Sequence, residues 1–164
     1  MWANAINYRQ SPVQTPVWQG VVTFVSDGDT LFVRPALGGK PVKIRMDGLD
    51  APEICQAYGQ ASRQALQNRL MGQTVSVDGR RRDDYGRVLA RIRWQQTDVA
   101  EWMVREGHAW SYRYRRDAGP YALQEAQARA ARRGLFGEAG PLQPRDFRKR
   151  HGPCQERRAT EGSR

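Results

Sequence analysis

The sequence predicts an α+β protein built mainly on a small five-stranded β-barrel, with three helices. Five short segments alternate apolar and polar residues, three longer segments carry apolar residues at helical spacing, and glycines lie between the strands. The chain has 164 residues, 39% of them hydrophobic and 27% charged, a composition typical of one globular domain. Periodicity alone also leaves a mixed α+β sandwich open.

The predicted strands are short and fall into a group of three and a group of two. Gly28 and Gly86 lie beside them, where tight turns favour a residue that tolerates positive φ. Alternation places the strands at 19–25, 31–34, 41–47, 74–78 and 88–94.

The predicted helices are bounded by recognisable end signals. Gly72 ends the first helix, whereas the second has the capping-box spacing of Asp98 and Glu101 and ends at Gly107. Pro120 suits the first turn of the third. Its buried side is predicted to carry Leu123, Ala126 and Ala130. The three helices are predicted at 59–71, 98–106 and 120–133.

The order of the elements narrows the fold class. Three strands, a helix, two strands and two helices match an OB-fold, a five-stranded barrel whose helix follows the third strand. The sequence therefore divides into a flexible arm at 1–15, one domain at 16–150 and a basic, disordered tail at 151–164. His151 and the arginines of the tail are expected in mobile, solvated positions.

The charge of the chain favours a polyanionic partner. Lysine and arginine outnumber aspartate and glutamate by 27 to 17, which gives a net charge of +10 and a pI of about 10.4. Nucleic acid, an anionic membrane surface and simple solubility each fit this excess. A membrane span is not expected, because no apolar run approaches the roughly 20 residues that it requires. The first ten residues also lack the apolar stretch of a signal peptide.

The two cysteines, Cys55 and Cys154, match no zinc or redox motif at their separation of 99 positions. A disulfide and two free thiols both remain open. A disulfide would brace the loop around Cys55 against the tail.

Acidic residues and arginines recur in three separated segments: DGDT at 27–30, KIRMDGLDAPE at 43–53 and RRRDDYGR at 80–87. Carboxylate oxygens suit hard cations, so Asp29 and Asp50 are candidate metal ligands. Guanidinium groups bind phosphate through paired hydrogen bonds, which makes Arg45 and Arg87 candidate phosphate ligands. Glu53 is a candidate general base. Taken singly, the first segment also fits a simple hairpin turn and the third a solvated hairpin tip.

In this order, DGDT, RMDGLDAPE and DDYGR resemble the signature stretches of the staphylococcal nuclease family. The resemblance continues through WMVREGHAW, YRY, EAQARAARRGLF and PLQPRDF, and covers about residues 16 to 150. It implies an OB-fold and a calcium-dependent nuclease that cuts DNA and RNA with little regard for sequence. The expected products carry 3′-phosphate and 5′-hydroxyl ends. The alternative is a non-catalytic module that binds nucleic acid on the same barrel.

The resemblance also implies a metal site. Asp29, Asp50 and the main-chain carbonyl of Ala51 would bind Ca²⁺, and Asp27 would shape the metal loop. Ala51 stands where the family usually has threonine, a change of little consequence if only the carbonyl binds. The resemblance further favours export, and we expect a monomer.

The substrate contacts implied by the resemblance surround the same site. Arg45 and Arg87 would hold the scissile phosphate, while Glu53 would activate or position water. Asp84 departs from the pattern, because a lysine contacts substrate phosphate there in the best-known secreted member. Candidate replacements for that lysine are Arg80, Arg81 and Arg82. Tyr85 is implied to contact substrate phosphate, and Tyr112 and Tyr114 are implied to form the aromatic wall on which a base stacks.

Overall fold

The barrel is formed by strands whose alternate side chains point into one apolar core. A computed structural model describes residues 16–154; the predicted arm at 1–15 and tail residues 155–164 lie outside the described residues. The strands are β1 (Trp18–Val25), β2 (Thr30–Pro35), β3 (Val42–Met46), β4 (Leu49–Asp50), β5 (Thr74–Arg82), β6 (Val88–Trp94), β7 (Thr97–Asp98) and β8 (Trp110–Ser111).

Five of these strands close on themselves. β1 pairs antiparallel with β2 and β5, β2 pairs with β3, and β5 pairs with β6. A parallel pairing of β3 with β6 completes the barrel. The five-stranded barrel predicted from the sequence is thus confirmed. Apolar side chains buried inside include Val22, Val25, Leu31, Val33, Ile44, Met46, Val77 and Ile92.

The helices lie outside the barrel, and the first follows the position that the OB-fold predicts. Asp98 caps α2 by accepting hydrogen bonds from the N–H groups of Ala100 and Glu101. The helices are α1 (Gly59–Leu70), α2 (Val99–Arg105), α3 (Ala122–Ala130), a 3-10 helix (Gly134–Gly137) and α4 (Pro144–His151).

Helix α4 was not among the three predicted helices, because it lacks an apolar repeat. Pro144 stands in its first turn, where the missing N–H costs nothing, and basic residues fill its last turn, where they suit the helix dipole. His151 is the final residue of α4, with its ring centroid 4.6 Å from that of Phe147. The prediction that His151 belongs to a mobile tail was therefore wrong.

Helix α3 buries a different face from the one predicted. Leu123 is 67% exposed, whereas Glu125 and Ala128 are buried. Glu125 accepts a hydrogen bond from the N–H of Ser111 and pairs with two arginines, Arg113 and Arg129. A carboxylate can be buried when its charge and hydrogen-bonding capacity are satisfied in this way, so apolar spacing alone misassigned the face.

A disulfide joins Cys55 to Cys154, which decides between the two alternatives for the cysteines. Cys55 lies in the loop of residues 51–58, between β4 and α1. A second link is made by Gln56 of the same loop, whose side-chain amide donates to the carbonyl of Leu142. The 51–58 loop therefore holds the segment before α4 and the segment after it. Within residues 16–154, no helix is long and apolar enough to cross a membrane.

Gly107 and Gly72 provide a matched test of how the helix ends are packed. Both follow a helix with positive φ, at 76° and 74° respectively. A Cβ at Gly107 would lie 2.2 Å from the carbonyl oxygen of Arg133, whereas one at Gly72 would meet nothing within 4 Å. We expect Gly72→Ala to cost about 1–2 kcal/mol from backbone conformation. Gly107→Ala should cost about 1–3 kcal/mol more from overpacking.

Chemical denaturation of both variants measures this difference in the free energy of unfolding. Equal destabilisation by the two substitutions would contradict the close packing of Gly107 against Arg133, between α3 and the 3-10 helix.

Candidate active site

A cleft of about 630 Å³ opens where the β1–β2 turn, the end of β3, the 51–58 loop and the turn between β5 and β6 meet. The elements come from distant parts of the sequence, and barrel closure brings them together. The predicted site residues that line the cleft are Asp27, Asp29, Arg45, Ala51, Glu53, Tyr85, Arg87 and Tyr112.

Asp29 is buried in the β1–β2 turn, immediately before β2, and accepts hydrogen bonds from several donors. Its Oδ1 atom accepts hydrogen bonds from the Thr30 hydroxyl at 2.9 Å and from Nη1 of Arg45 at 3.2 Å. Its Oδ2 atom accepts from the N–H of Ala51 at 3.0 Å. The N–H of Asp29 donates to Oδ1 of Asp27 at 3.0 Å, an Asx turn that fits the predicted shaping role of Asp27.

Arg45 joins Asp29 to Asp50. Its Nη2 atom lies 3.3 Å from Oδ1 of Asp50, so one guanidinium bridges a carboxylate of the β1–β2 turn and one of β4. The charge of Asp29, followed by that of Asp50, raises the pKa of Arg45, which remains a cation. The alternation of a β-strand is kept here, because Ile44 and Met46 on either side of Arg45 face the barrel core.

Three carboxyl groups, those of Asp27, Asp29 and Asp50, lie near Arg45, whose single positive charge can balance only one of them. Burial, together with the nearby charge of Asp29, raises the pKa of Asp27 to about 8. Burial and Asp29 likewise raise the pKa of Asp50 to about 6, although Arg45 partly opposes this shift. Raised carboxyl pKa values mean that further positive charge at this position would be favourable. The site is therefore suited to a cation.

The oxygen atoms of this site fit a hard divalent cation whose remaining ligands come from water and substrate. Within the described residues, no group of three or more His, Cys, Asp or Glu side chains is placed to hold an ion. Asp29 and Asp50 supply two carboxylates beside the main chain of Ala51. Calcium and magnesium sites commonly combine carboxylates with backbone carbonyls, water and substrate phosphate.

Glu53 contacts a residue that sequence reasoning did not assign to the site. Nη1 of Arg148, on α4, donates to Oε1 of Glu53 and lies 3.8 Å from Oδ1 of Asp50. Burial alone would lower the pKa of Arg148, but its bond to Glu53 and the charge of Asp50 raise it. Arg148 lies at the end of the predicted domain at 16–150, and no predicted site contact involved it. The one sequence signal for this contact was the pair Cys55 and Cys154.

Arg87 is oriented by Asp83, another residue that the sequence did not single out. Nε of Arg87 lies 2.6 Å from Oδ2 of Asp83, and the N–H of Arg87 donates to Oδ1 at 2.8 Å. The N–H of Tyr85 donates to the same oxygen at 3.0 Å. Because one carboxylate organises this turn, Arg87 and Tyr85 are presented together on the wall of the cleft.

The predicted aromatic contacts divide between the cleft and the surface. Tyr85 is 84% exposed and lines the cleft, as does Tyr112. Tyr114 is 62% exposed and forms an isolated bridge with Asp117 away from the cleft lining. The cleft thus contains Tyr85, the predicted phosphate contact, and Tyr112, one of the two predicted stacking residues, whereas Tyr114 is outside its lining.

The three consecutive arginines of β5 take different positions. Arg81 lines the cleft together with Asp84. Arg80 pairs with Asp78, and Nη1 of Arg82 donates to the carbonyl of Gly86. Arg81 is therefore the candidate replacement for the missing lysine.

Comparison with known proteins agrees with the barrel and the cleft. Residues 43–138 match the family model described as "Staphylococcal nuclease homologue". An uncharacterized endonuclease of Escherichia coli is 38% identical over 141 residues, covering 85% of this chain and 90% of the relative. The micrococcal nuclease of Shigella flexneri is 34% identical over 152 residues, covering 84% and 86%. Protein ParB of Escherichia coli is 36% identical over 152 residues, covering 84% of both.

The matched family model spans more than half of the chain, and the nuclease relatives align with most of it. These matches agree with the closed five-stranded barrel and with the acidic and basic groups that face one another in its cleft. The chain therefore belongs to the staphylococcal nuclease family, and it is a hydrolase of phosphodiester bonds.

Proposed function

We propose that this nuclease is calcium-dependent, hydrolyses both DNA and RNA without sequence preference, and leaves 3′-phosphate and 5′-hydroxyl ends. The observation that carries the proposal is the meeting of the Asp29–Arg45–Asp50 ion pairs with Glu53 and Arg87 around one cleft. Acids for a hard cation and cations for a phosphate lie side by side there. This is the combination that metal-assisted phosphodiester cleavage requires.

Asp29, Asp50 and the main-chain carbonyl of Ala51 are the groups that would hold calcium. When bound, the ion supplies Lewis-acid stabilisation of negative charge on the phosphate. Burial and the charge of Asp29 raise the pKa values of Asp27 and Asp50, and a bound cation would offset both effects, which supports this assignment. Asp27 would keep Asp29 oriented through the bond that it accepts from the Asp29 N–H.

Glu53, Arg45 and Arg87 would act on the water and the phosphate. Glu53 would accept a proton from the attacking water, or orient that water, as the water oxygen bonds to phosphorus. Arg45 and Arg87 would donate to the phosphate oxygens on which charge accumulates. The bond from phosphorus to the 5′ oxygen breaks, which leaves the phosphate on the 3′ side and a hydroxyl on the 5′ side.

Broad substrate choice follows from the kinds of contact that the cleft offers. Arginine contacts to phosphate carry no base information. Tyr85 would add a phosphate contact, and Tyr112 would add stacking, which every base can provide. The net charge of +10 supports electrostatic attraction to any nucleic acid strand. A binding module without catalysis is disfavoured, because the complete set of acids and arginines is retained.

The direct test uses purified protein with single-stranded DNA, duplex DNA and RNA. In millimolar calcium all three should be cleaved, and EGTA should abolish cleavage. The 5′ ends of the products should accept label from a polynucleotide kinase without prior phosphatase treatment. Intact substrates in calcium, or cleavage that EGTA leaves unchanged, would reject the proposed function.

The roles of Glu53 and Arg87 are tested by Glu53→Gln and Arg87→Ala. We expect kcat to fall about 10²- to 10⁴-fold for the first and about 10²- to 10³-fold for the second, since each removes an interaction made in the transition state. Circular dichroism should show an unchanged fold. The control Arg105→Ala removes a surface arginine that pairs on α2 and should retain activity. Normal turnover in either site variant would contradict its assigned role.

Calcium binding is tested with Asp29→Asn, which removes the charge while nearly preserving side-chain size. Calorimetry should show calcium affinity reduced by at least about tenfold, the effect expected even for loss of an outer-shell partner. Asp78→Asn is the matched control, because Asp78 pairs with Arg80 on the surface. Unchanged calcium affinity of the Asp29 variant would exclude Asp29 as a ligand.

A further inference from the structure

Arg148 occupies a central position on the helix that faces the candidate active site. It lies six residues after Leu142 and six residues before Cys154. Both of those residues are bound by the 51–58 loop, Leu142 through Gln56 and Cys154 through Cys55. The helix is thus held on either side of Arg148 by the same loop that carries Glu53.

The contact between Arg148 and Glu53 restrains a carboxylate that would otherwise be loosely placed. The side chain of Glu53 is 25% exposed and that of Arg148 is 41% exposed. The main-chain N–H of Glu53 donates to Oε1 of Gln56, which fixes its backbone, whereas Arg148 contacts its carboxylate. The backbone of Glu53 is therefore held by its own loop, and its side chain is held by α4. The same loop holds the segments on either side of α4 through Gln56 and Cys55.

We propose that Arg148 is a positioning residue for Glu53, and that the Cys55–Cys154 disulfide holds it in place, so that full turnover requires the oxidised protein. The inference rests on the proposed role of Glu53 in activating or orienting water. The region that matches the family model ends at residue 138, before α4 begins.

The physical reason is that a partly exposed glutamate side chain samples several rotamers unless a partner holds it. Hydrolysis depends on the placement of the water-activating group, and a small displacement costs much of the rate. Arg148 would reduce this freedom through a charge-assisted hydrogen bond. The pair contributes little to folding stability, because partly exposed ion pairs are screened by water. Its effect is thus expected in catalysis.

The disulfide matters because α4 is a weak helix by itself. It has eight residues, and its buried residue is Pro144. Isolated helices of this length are marginal in water. Without the link from Cys55 to Cys154, α4 loses the restraint that follows Arg148, so the Arg148–Glu53 contact is populated less. A reducing environment, which opens disulfides, would then lower turnover.

The first experiment compares Arg148→Ala with Arg150→Ala, which removes the same charge from the same helix. On a short single-stranded oligonucleotide with calcium, Arg148→Ala should lower kcat about 10- to 100-fold and leave KM unchanged. Its Tm should fall by less than about 4 °C. Arg150→Ala should retain the wild-type kcat. An unchanged kcat for Arg148→Ala, or an equal loss for both variants, would overturn the proposal.

The second experiment tests the disulfide with the double variant Cys55→Ser/Cys154→Ser. Its kcat should fall, and adding Arg148→Ala should lower kcat much less than it does in the wild type, because the contact is already weakened. A full effect of Arg148→Ala in the variant without the disulfide would overturn the role assigned to the Cys55–Cys154 link.

A binding measurement separates positioning from direct phosphate contact. Oligonucleotide affinity should be the same for Glu53→Gln and Glu53→Gln/Arg148→Ala if Arg148 acts through Glu53. Weaker binding by the double variant, with a smaller salt dependence, would instead make Arg148 a phosphate ligand and overturn the proposal. Absence of cleavage by the wild-type protein would reject the proposed function, whereas wild-type cleavage with an unaffected Arg148→Ala variant rejects only the role of Arg148.

Discussion

The ion pairs of Arg45 with Asp29 and Asp50 are the constraint on which the rest of the site depends. They join the β1–β2 turn, the end of β3 and the short strand β4. The parallel pairing of β3 with β6 then places Arg45 opposite Leu89, two residues beyond Arg87. Barrel closure and the placement of both arginines are thus consequences of the same register.

The carboxyl groups around Arg45 are not fully balanced by positive charge from the protein itself. Three buried or partly buried carboxylates surround Arg45, and the pKa values of Asp27 and Asp50 are raised. Glu125 shows the contrasting solution, because its buried carboxylate is matched by two arginines and a backbone N–H. The cleft keeps carboxyl groups whose charged form lacks full compensation, whereas the structural site on α3 does not, which is the pattern expected where a cation is to bind.

The disulfide and α4 extend the site beyond the barrel. Cys55 lies two residues after Glu53, and its partner Cys154 lies just beyond the helix that carries Arg148. Closing a loop of this length restricts the unfolded chain and favours the folded state. Here the same link also joins the loop of the candidate base to its ion-pair partner, so the stability of the loop and the geometry of the cleft are connected.

The sequence by itself determined the five-stranded barrel, three of the helices and the acids and arginines that meet in the cleft. Strand alternation, helix end signals and three short motifs are local patterns, so a single chain displays them. Only the tertiary structure decided that α4 forms, that Glu125 is buried and that Arg148 contacts Glu53. Glu53 and Arg148 are 95 positions apart, and both are ordinary surface residue types, so no periodic or local pattern marks their contact. The position of Tyr114 outside the cleft was decided in the same way, by the path of the backbone after β8.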